Sequence, residues 1–553
     1  MTGLHSLPPE LLDSSLLPLL PLPSLLALSS TSSSLRSHIT ASYLPFHARR
    51  SLGYTPFTLA HLHFHSPSSS WVRKSLWSAQ VSHNFLHHRF RGFTLGGPHR
   101  TWARCIPVLK LWEDGEGVGN VVVARGKGVE VWRAGESAGG VMRGADVLFD
   151  SVRGARGKGG TKGGSYDDVS ALSSGLSPGE LVVGRIDGTL ARYKVAADAR
   201  DKRRGGGQVR MREVARYEAG PGGKGGKGEG KTAVQALSTS GEMLVCAATT
   251  RGRPSVPSPA DADADASLAS QLASRSAPTT HSVTLHALAS PWLPPTLVPY
   301  ATATDGKKDG GGKPWSILLS PSQSSSSSSS PSWLAVGHTS PSPLSLISLT
   351  PSGPLAPVSL VRTAKTTSVY GLCSPSLVSS PFANPDQTVI AAFYDSTTSV
   401  FDLRLPAPSP SSSPPSSSRR YDPSFGAHEL QSNEVLRLQD PWSDDPSFSL
   451  SSGGPSGSYI CVGAARDSNI RLFDVRNPSS SVTAIAPGRD RSPVYGVAME
   501  QSRLWAVTEQ RVVGVEWDGF EGVRTGGGAW EGVGYVRHEG VGEKGAGGLR
   551  VTE

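Results

Sequence analysis

Cysteine is scarce in this 553-residue chain, which has four: Cys105, Cys246, Cys373 and Cys461. No two of them form a C-x-x-C pair, so a thiolate zinc site and a vicinal redox dithiol are both excluded. A reducing compartment, cytoplasmic or nuclear, is expected. Long apolar runs are also missing. The Leu-rich stretch LLPLLPLPSLLAL has no basic segment before it, follows Glu10 and Asp13, and is interrupted by Pro18, Pro21 and Pro23. Neither an export signal nor a membrane span is expected. The net charge of +9 is concentrated: residues 200–231 hold ten Lys/Arg against four Asp/Glu in a Gly-rich context. That composition reads as a basic tether, and no specific nucleic-acid partner is expected.

What the chain does have is repetition. One template recurs: a short apolar strand, a turn, a second strand of small and β-branched residues, a tight turn, and a third strand ending in an aromatic or aliphatic residue. Seven segments match it. They are IPVLKLWEDGEGVGNVVVARGKGVEVWRA from Ile106, DVSALSSGLSPGELVVGRIDGTLARYKV from Asp168, and TAVQALSTSGEMLVCAATTRG from Thr232 with SVTLHAL at Ser282. Next come WSILLSPS from Trp315 with WLAVGHTSPSPLSLISL, and SVYGLCSPS from Ser368 with TVIAAFYDSTTSVFDLR. The last two are EVLRLQD from Glu434 with SYICVGAARDSNIRLFDVR, and PVYGVAMEQSRLWAVTEQRVVGVEWD from Pro493. Two echoes fix the register: SVYGL against PVYGV, and VFDLR against LFDVR.

The pattern resembles the WD40 repeat, whose third strand ends near Trp-Asp and whose second-to-third-strand turn holds an Asp. Asp187, Asp395 and Asp467 stand at that turn, and Asp402 and Asp474 near the strand end. The resemblance implies a mainly β fold, a seven-bladed WD40-like propeller. Repeats of about 40–45 residues leave much of the chain after Ile106 unaccounted for. The surplus matches low-complexity segments at 153–165, 200–207, 219–231, 251–280, 302–313, 320–332, 405–424 and 443–457, which bury too little apolar area to offset chain entropy and are expected as disordered loops. Ring closure needs a strand from before the first repeat, supplied by Phe90–Leu95 or by Thr101–Cys105, with Trp71, Trp77, Phe85 and Phe90 packing a connector on the propeller. The cysteines are expected in or beside strands, as small apolar residues.

Ahead of the repeats, Leu12, Leu16, Leu19 and Leu20 make one apolar helical stripe, which Pro18 should interrupt, and Ser24 can cap a second helix carrying Leu25, Leu28, Leu35 and Ile39. Two such helices have more leucine than they can bury between themselves. The segment resembles the F-box, which opens L-P-x-E-[LI]-[LI] and continues through a Pro-containing turn to a second Leu pair. Leu7, Pro8, Glu10, Leu11, Leu12, Leu16, Leu20, Leu25, Leu26 and Leu28 occupy those places; the Arg/Trp cluster usual at the end of the motif is reduced to Arg36. The resemblance implies docking to the Skp adaptor and through it to the cullin of an SCF-type ubiquitin ligase. The expected organisation is an F-box-like helical module at 1–42, a connector at 43–100, the propeller at 101–535 and a tail at 536–553. The expected function is a noncatalytic substrate adaptor with a protein target; a WD40 scaffold without a ubiquitin role is the alternative.

Several motifs imitate chemistry. Gly225–Thr232, GGKGEGKT, fits the phosphate-binding pattern G-x-x-x-x-G-K-[ST] and would make Lys231 and Thr232 ligands of a nucleotide hydrolase. A working loop needs a buried strand before it and a helix after it, and neither is evident. GESAG around Ser137 lacks the helix that a nucleophile elbow requires. His61, His63, His65, His83 and His87 lack carboxylate or thiol support for a metal. No cofactor, metal or catalytic residue is expected. Arg125, Arg185 and Arg466 each fall at a second-to-third-strand turn, so they should gather on one propeller face and could grip a target carboxylate or phosphate, although turn arginines are also ordinary surface charge. The resemblance permits arginines on that face to read phosphorylated targets.

Overall fold

The computed structural model describes helical segments within 8–44, residues 80–85 and 90–95, most of 106–517, and 534–538. The larger segments outside the described residues are 45–79, 96–105, 134–142, 151–167, 198–208, 220–230, 252–278, 301–311, 322–330, 376–384, 407–432, 518–533 and 539–553. Cys105, Trp71, Trp77, and most of the expected low-complexity loops lie there.

Among the described residues the strands form seven blades. A strand ahead of them, β1, spans Arg91–Leu95. The first blade is β2 (Val108–Glu113), β3 (Gly119–Arg125), β4 (Gly128–Arg133) and β5 (Arg143–Asp150). The second is β6 (Val169–Ser174), β7 (Glu180–Arg185), β8 (Thr189–Ala197) and β9 (Val209–Glu218). The third is β10 (Lys231–Ser240), β11 (Met243–Arg251), β12 (Thr279–Ala287) and β13 (Thr296–Leu297). The fourth is β14 (Pro314–Leu319), β15 (Trp333–Ser340) and β16 (Leu344–Thr350), edged by β17 (Gly353–Pro354) and β18 (Val358–Ser359). The fifth is β19 (Thr367–Cys373), β20 (Thr388–Phe393), β21 (Thr398–Asp402) and β22 (Glu434–Leu438). The sixth is β23 (Ser447–Gly453), β24 (Tyr459–Ala464), β25 (Ile470–Asp474) and β26 (Ser481–Ile485), with β30 (Gly534–His538) on its edge. The seventh is β27 (Val494–Met499), β28 (Arg503–Thr508) and β29 (Val512–Glu516), completed by β1, which pairs antiparallel with β29 from Arg91↔Glu516 to Leu95↔Val512.

The ring closes. The innermost strands β2, β6, β10, β14, β19, β23 and β27 touch in that order, and β27 touches β2. The second strand of each blade explains why. It is buried on both faces, so it reads as a nearly unbroken apolar run, and its period of two sends alternate side chains into the seams on either side. In β3, Val122 and Ala124 join Leu181 and Val183 of the second blade, while Val121 and Val123 join Trp505 and Val507 of the seventh. Seven such clusters fill the seven seams, and an eighth belongs to the helices. At the last seam the blades approach so closely that a Cβ on Gly496 would lie 2.9 Å from the Leu109 Cβ. Cys246 and Cys461 are buried in this core, and burial pushes the Cys246 thiol up to about 12.

Closure of the ring has a clasp. Residues 80–85 are helical, and Phe85 stacks on Trp517 with centroids 4.1 Å apart, while Phe90 lies 5.7 Å from the same ring. Asn84 Nδ2 donates to the Trp517 carbonyl at 2.6 Å.

The structure departs from the sequence reading in four places. EVLRLQD is the outer edge of the fifth blade, pairing with β21, rather than the first strand of the sixth. That inner strand is β23, within the Ser-rich 443–457 read as a loop. It is a strand because its small side chains suit the crowded centre and bond across seams: Ser449 Oγ donates to the Val494 carbonyl at 2.8 Å, and Ser451 Oγ accepts the Met499 N–H at 3.0 Å. The middle of the basic 200–231 stretch is β9, which pairs with β8 and runs parallel to β5. The strand β30 lies across the expected start of the tail at 536, whereas β1 is the closing strand expected from Phe90–Leu95.

His286, on β12, is 5% exposed, its Nε2 3.0 Å from Thr284 Oγ1, and burial pushes its pKa down to about 4. The folded ring stays neutral while the unfolded chain takes up a proton below about pH 6.5. Its contribution is therefore complete above that pH, declines as the pH falls toward 4, and levels off below. The decline amounts to about 3 kcal/mol. Urea unfolding across pH 4–7 should show this slope in the wild type and lose it in His286→Gln.

Candidate functional site: an aromatic arc at one mouth of the ring

In six of the seven blades the innermost strand breaks register at one level, at Val169/Ala171, Val234/Ala236, Pro314/Ser316, Val369/Gly371, Ser447/Ser449 and Val494/Gly496. Each break inserts one residue that bends the strand and re-aims its side chain, as β-bulges do at barrel rims and binding sites. The inserted residues are Ser170, Gln235, Trp315, Tyr370, Phe448 and Tyr495. Ser170, Trp315, Phe448 and Tyr495 are second in their strands, Tyr370 fourth of seven and Gln235 fifth of ten, toward the face that also carries the second-to-third-strand turns and the links between blades.

In the fourth to seventh blades these residues are aromatic, and they touch. Trp315 and Tyr370 centroids are 4.8 Å apart, Tyr370 and Phe448 4.8 Å at 80°, and Phe448 and Tyr495 5.9 Å at 15°. Tyr394, 46% exposed on the turn after β20, adds a fifth ring 5.7 Å from Tyr370. The four inserted rings are half-buried, so the arc keeps apolar surface open to a ligand. Polar anchors fix its ends: Trp315 Nε1 donates to Thr339 Oγ1 at 2.8 Å, and the Tyr495 hydroxyl donates to Glu509 Oε1 at 2.8 Å. Burial, with Glu509 beside it, raises the Tyr495 pKa, so the phenol remains a donor. Lys313 Nζ lies 3.6 Å over the Trp315 ring. Sequence reading missed the arc; the available signal was the aromatic two residues into SVYGL and PVYGV.

The anticipated arginines share this face, but each has a partner. Arg125 pairs with Glu130, Arg185 hydrogen-bonds Tyr193, and Arg466 Nη1 lies 3.9 Å from Asp444 Oδ1. The repeat aspartates act as turn formers. Asp187 Oδ1 accepts the Thr189 N–H at 2.8 Å and Asp395 Oδ1 that of Thr397 at 3.2 Å; the next residue is left-handed in both turns, Gly188 at φ 84° and Ser396 at φ 72°. Asp467 lies outside the described residues. Asp402 and Asp474 clamp Arg404 and Arg476 with matching geometry, Nη2 to Oδ2 2.6 Å in each.

The helical module forms a small core of its own. A π-helical segment (Leu12–Leu16), α1 (Leu22–Thr31), α2 (Ser33–His38) and a second π-helical segment (Ile39–Tyr43) bury Leu12, Leu17, Leu25, Leu35, Ile39, Tyr43 and Leu44 together. His38 Nε2 meets Asp13 Oδ1 at 2.8 Å. The third and fourth segments supply the apolar cover that two helices alone lack. Leu11 is 53% exposed, and Leu16, Leu20, Leu26 and Leu28 are half-buried. Pro8 is exposed, with its carbonyl accepting the Leu11 and Leu12 N–H groups; Leu7, Glu10 and Leu19 lie outside the described residues.

Of the phosphate-binding pattern only the last two residues are described. Lys231 and Thr232 open a strand rather than a helix, and Thr232 Oγ1 bonds Thr250 Oγ1 at 2.9 Å. Ser137, His61, His63, His65 and His87 lie outside the described residues. Among the described residues no group of three or more His, Cys, Asp or Glu is placed to hold a metal, and no helix is long and apolar enough to cross a membrane.

Scanned against models of known protein families and against curated proteins, the sequence matches none. Solved structures are similar to it in chain course. The β-propeller domain of Swd1 (Cps50) from Myceliophteria thermophila shares 11% identity over 77% of this chain and 98% of that one, with a TM-score of 0.42. Sqt1 from Chaetomium thermophilum, bound to the N-terminus of ribosomal protein L10, shares 13% over 72% and 80%, with a TM-score of 0.39.

Proposed function

We propose that this seven-bladed, WD40-like propeller protein is a noncatalytic substrate adaptor of an SCF-type ubiquitin ligase, working in the cytoplasm or nucleus. The helical module docks to the Skp adaptor, and through it to the cullin, while the aromatic mouth of the propeller holds a protein target. What it contributes is proximity, bringing target lysines to the conjugating enzyme. The observation that carries the reading is the separate core of the module. Among the described residues that core is drawn from residues 12–44, and Leu11 with the half-buried Leu16, Leu20, Leu26 and Leu28 leaves apolar surface suited to a partner's groove.

Leu11→Asp with Leu16→Asp tests it. Both side chains lie outside the fully buried set, so the chain should fold with an unchanged circular dichroism spectrum. Co-purification with the Skp adaptor should fall about a hundredfold, as expected for charges placed in a desolvated interface core. Retention of the complex by the double variant, or no complex with the wild type, leaves a propeller scaffold without a ubiquitin role.

A further inference from the structure

The register of the third blade gathers positive charge at the rim of the mouth. Thr249 pairs with His281 and Arg251 with Thr279, so Arg251 and His281 are diagonal neighbours on one face of the sheet. The continuation of that face, through Val245, Ala247 and Val283, packs against the fourth blade. Lys313 enters β14 directly opposite, over the Trp315 ring. The three groups feel one another: burial and Arg251 lower the proton affinity of Lys313, and burial and Lys313 lower that of His281. His281 Nδ1 lies 3.0 Å from Thr249 Oγ1, and among the described residues no carboxylate pairs with any of the three. Here they differ from Arg125 and Arg466, which each face a carboxylate.

Arg251 and Lys313, neighbouring cations with no counter-charge among the described residues, repel, and an anion entering between them relieves that repulsion, with His281 beside them as a neutral hydrogen-bonding partner. We propose that Arg251, His281 and Lys313 form an anion-binding subsite of the mouth, receiving a carboxylate or phosphoryl group of a bound polypeptide. It rests on reading the mouth as the target-binding face. Trp315 links the subsite to the arc, so the anionic residue is followed by an apolar one lying on Trp315 and Tyr370. A polypeptide fits better than single-stranded nucleic acid. The rings form a continuous belt, with Tyr370 and Phe448 edge to face, rather than separated platforms on which successive bases stack.

The test uses the full chain and labelled degenerate peptide pools with one fixed central residue: glutamate, phosphoserine or glutamine. Fluorescence anisotropy should show both anionic pools binding and the glutamine pool not, with binding about tenfold weaker in Arg251→Gln with Lys313→Gln and retained in Lys313→Arg. A preference for phosphoserine assigns the site to phosphoryl groups, and equal binding assigns it to carboxylates. Equal binding of all three pools, undiminished binding by the double variant, or tighter binding of an oligothymidine overturns the subsite. Tyr394→Ala separates the two readings. Loss of peptide in that variant alone keeps the mouth as the target site and removes the subsite, whereas a wild type that binds no pool removes both.

Discussion

Replacing Arg471 by alanine is expected to destabilise the propeller by about 3–5 kcal/mol, the range for breaking a buried ion pair by removing one partner. Arg471 is 2% exposed; Asp440 and Asp445 around it are 2% and 3% exposed. Its Nη2 donates to the Asp445 carbonyl at 2.6 Å and to Ser443 Oγ at 3.3 Å, and its Nε lies 3.8 Å from Asp440 Oδ2. The guanidinium thus ties the link between the fifth and sixth blades to β25. Asp445 Oδ2 in turn accepts the Arg466 N–H at 3.0 Å, so the tie extends to the neighbouring turn. Alanine leaves two carboxylates desolvated with their cation gone. Urea unfolding measures the loss, and Arg404→Ala, which breaks an exposed pair, serves as the control with little expected change. A shift at Arg471 within about 0.5 kcal/mol, the range of a surface substitution, contradicts the network.

Trp517→Ala should cost about as much, roughly 3–5 kcal/mol for a fully packed tryptophan, and should act in a distinct place. Trp517 is 1% exposed, stacked on Phe85 and touching Phe90. Its removal loosens the helix at 80–85 and the adjoining β1, which supplies the outer strand of the seventh blade. Limited proteolysis should then cut first between the helical module and the ring, leaving the module detached. Cleavage that begins elsewhere, with an unchanged unfolding midpoint, argues against the clasp.

The second strands were legible because burial on both faces leaves an uninterrupted apolar signature, as in VVVA, LVV and VIAAF. The echoes were legible for a different reason: VFDLR and LFDVR encode one turn, and their Asp-Arg clamps coincide. Four of the fourth strands were not legible, though β1 was and β22 was read as a strand of the wrong blade. β5, β9, β13 and β26 follow links of varying length after the third strand, so no fixed spacing announces them. β23 was concealed by its serines, whose bonds to neighbouring blades form only once the ring exists. The arc stayed hidden because a bulge residue carries no periodic signal. In the helical module the stripe through Leu12 and Leu16 was visible, but not the burial of Leu17, which follows from the π-helical turn. Arg251, His281 and Lys313 lie far apart along the chain, and only register and the blade seam unite them.

The clasp also sets a timetable. β1 is synthesised some 420 residues before its partner β29, so at about 5–20 residues per second it waits roughly 20–80 s on the ribosome with its strand edge unmatched. Throughout that interval the helical module, whose core among the described residues is drawn from residues 12–44, is free to fold. The nascent chain therefore owns a folded front end before it owns a propeller, and a stalled or truncated product would display the one without the other.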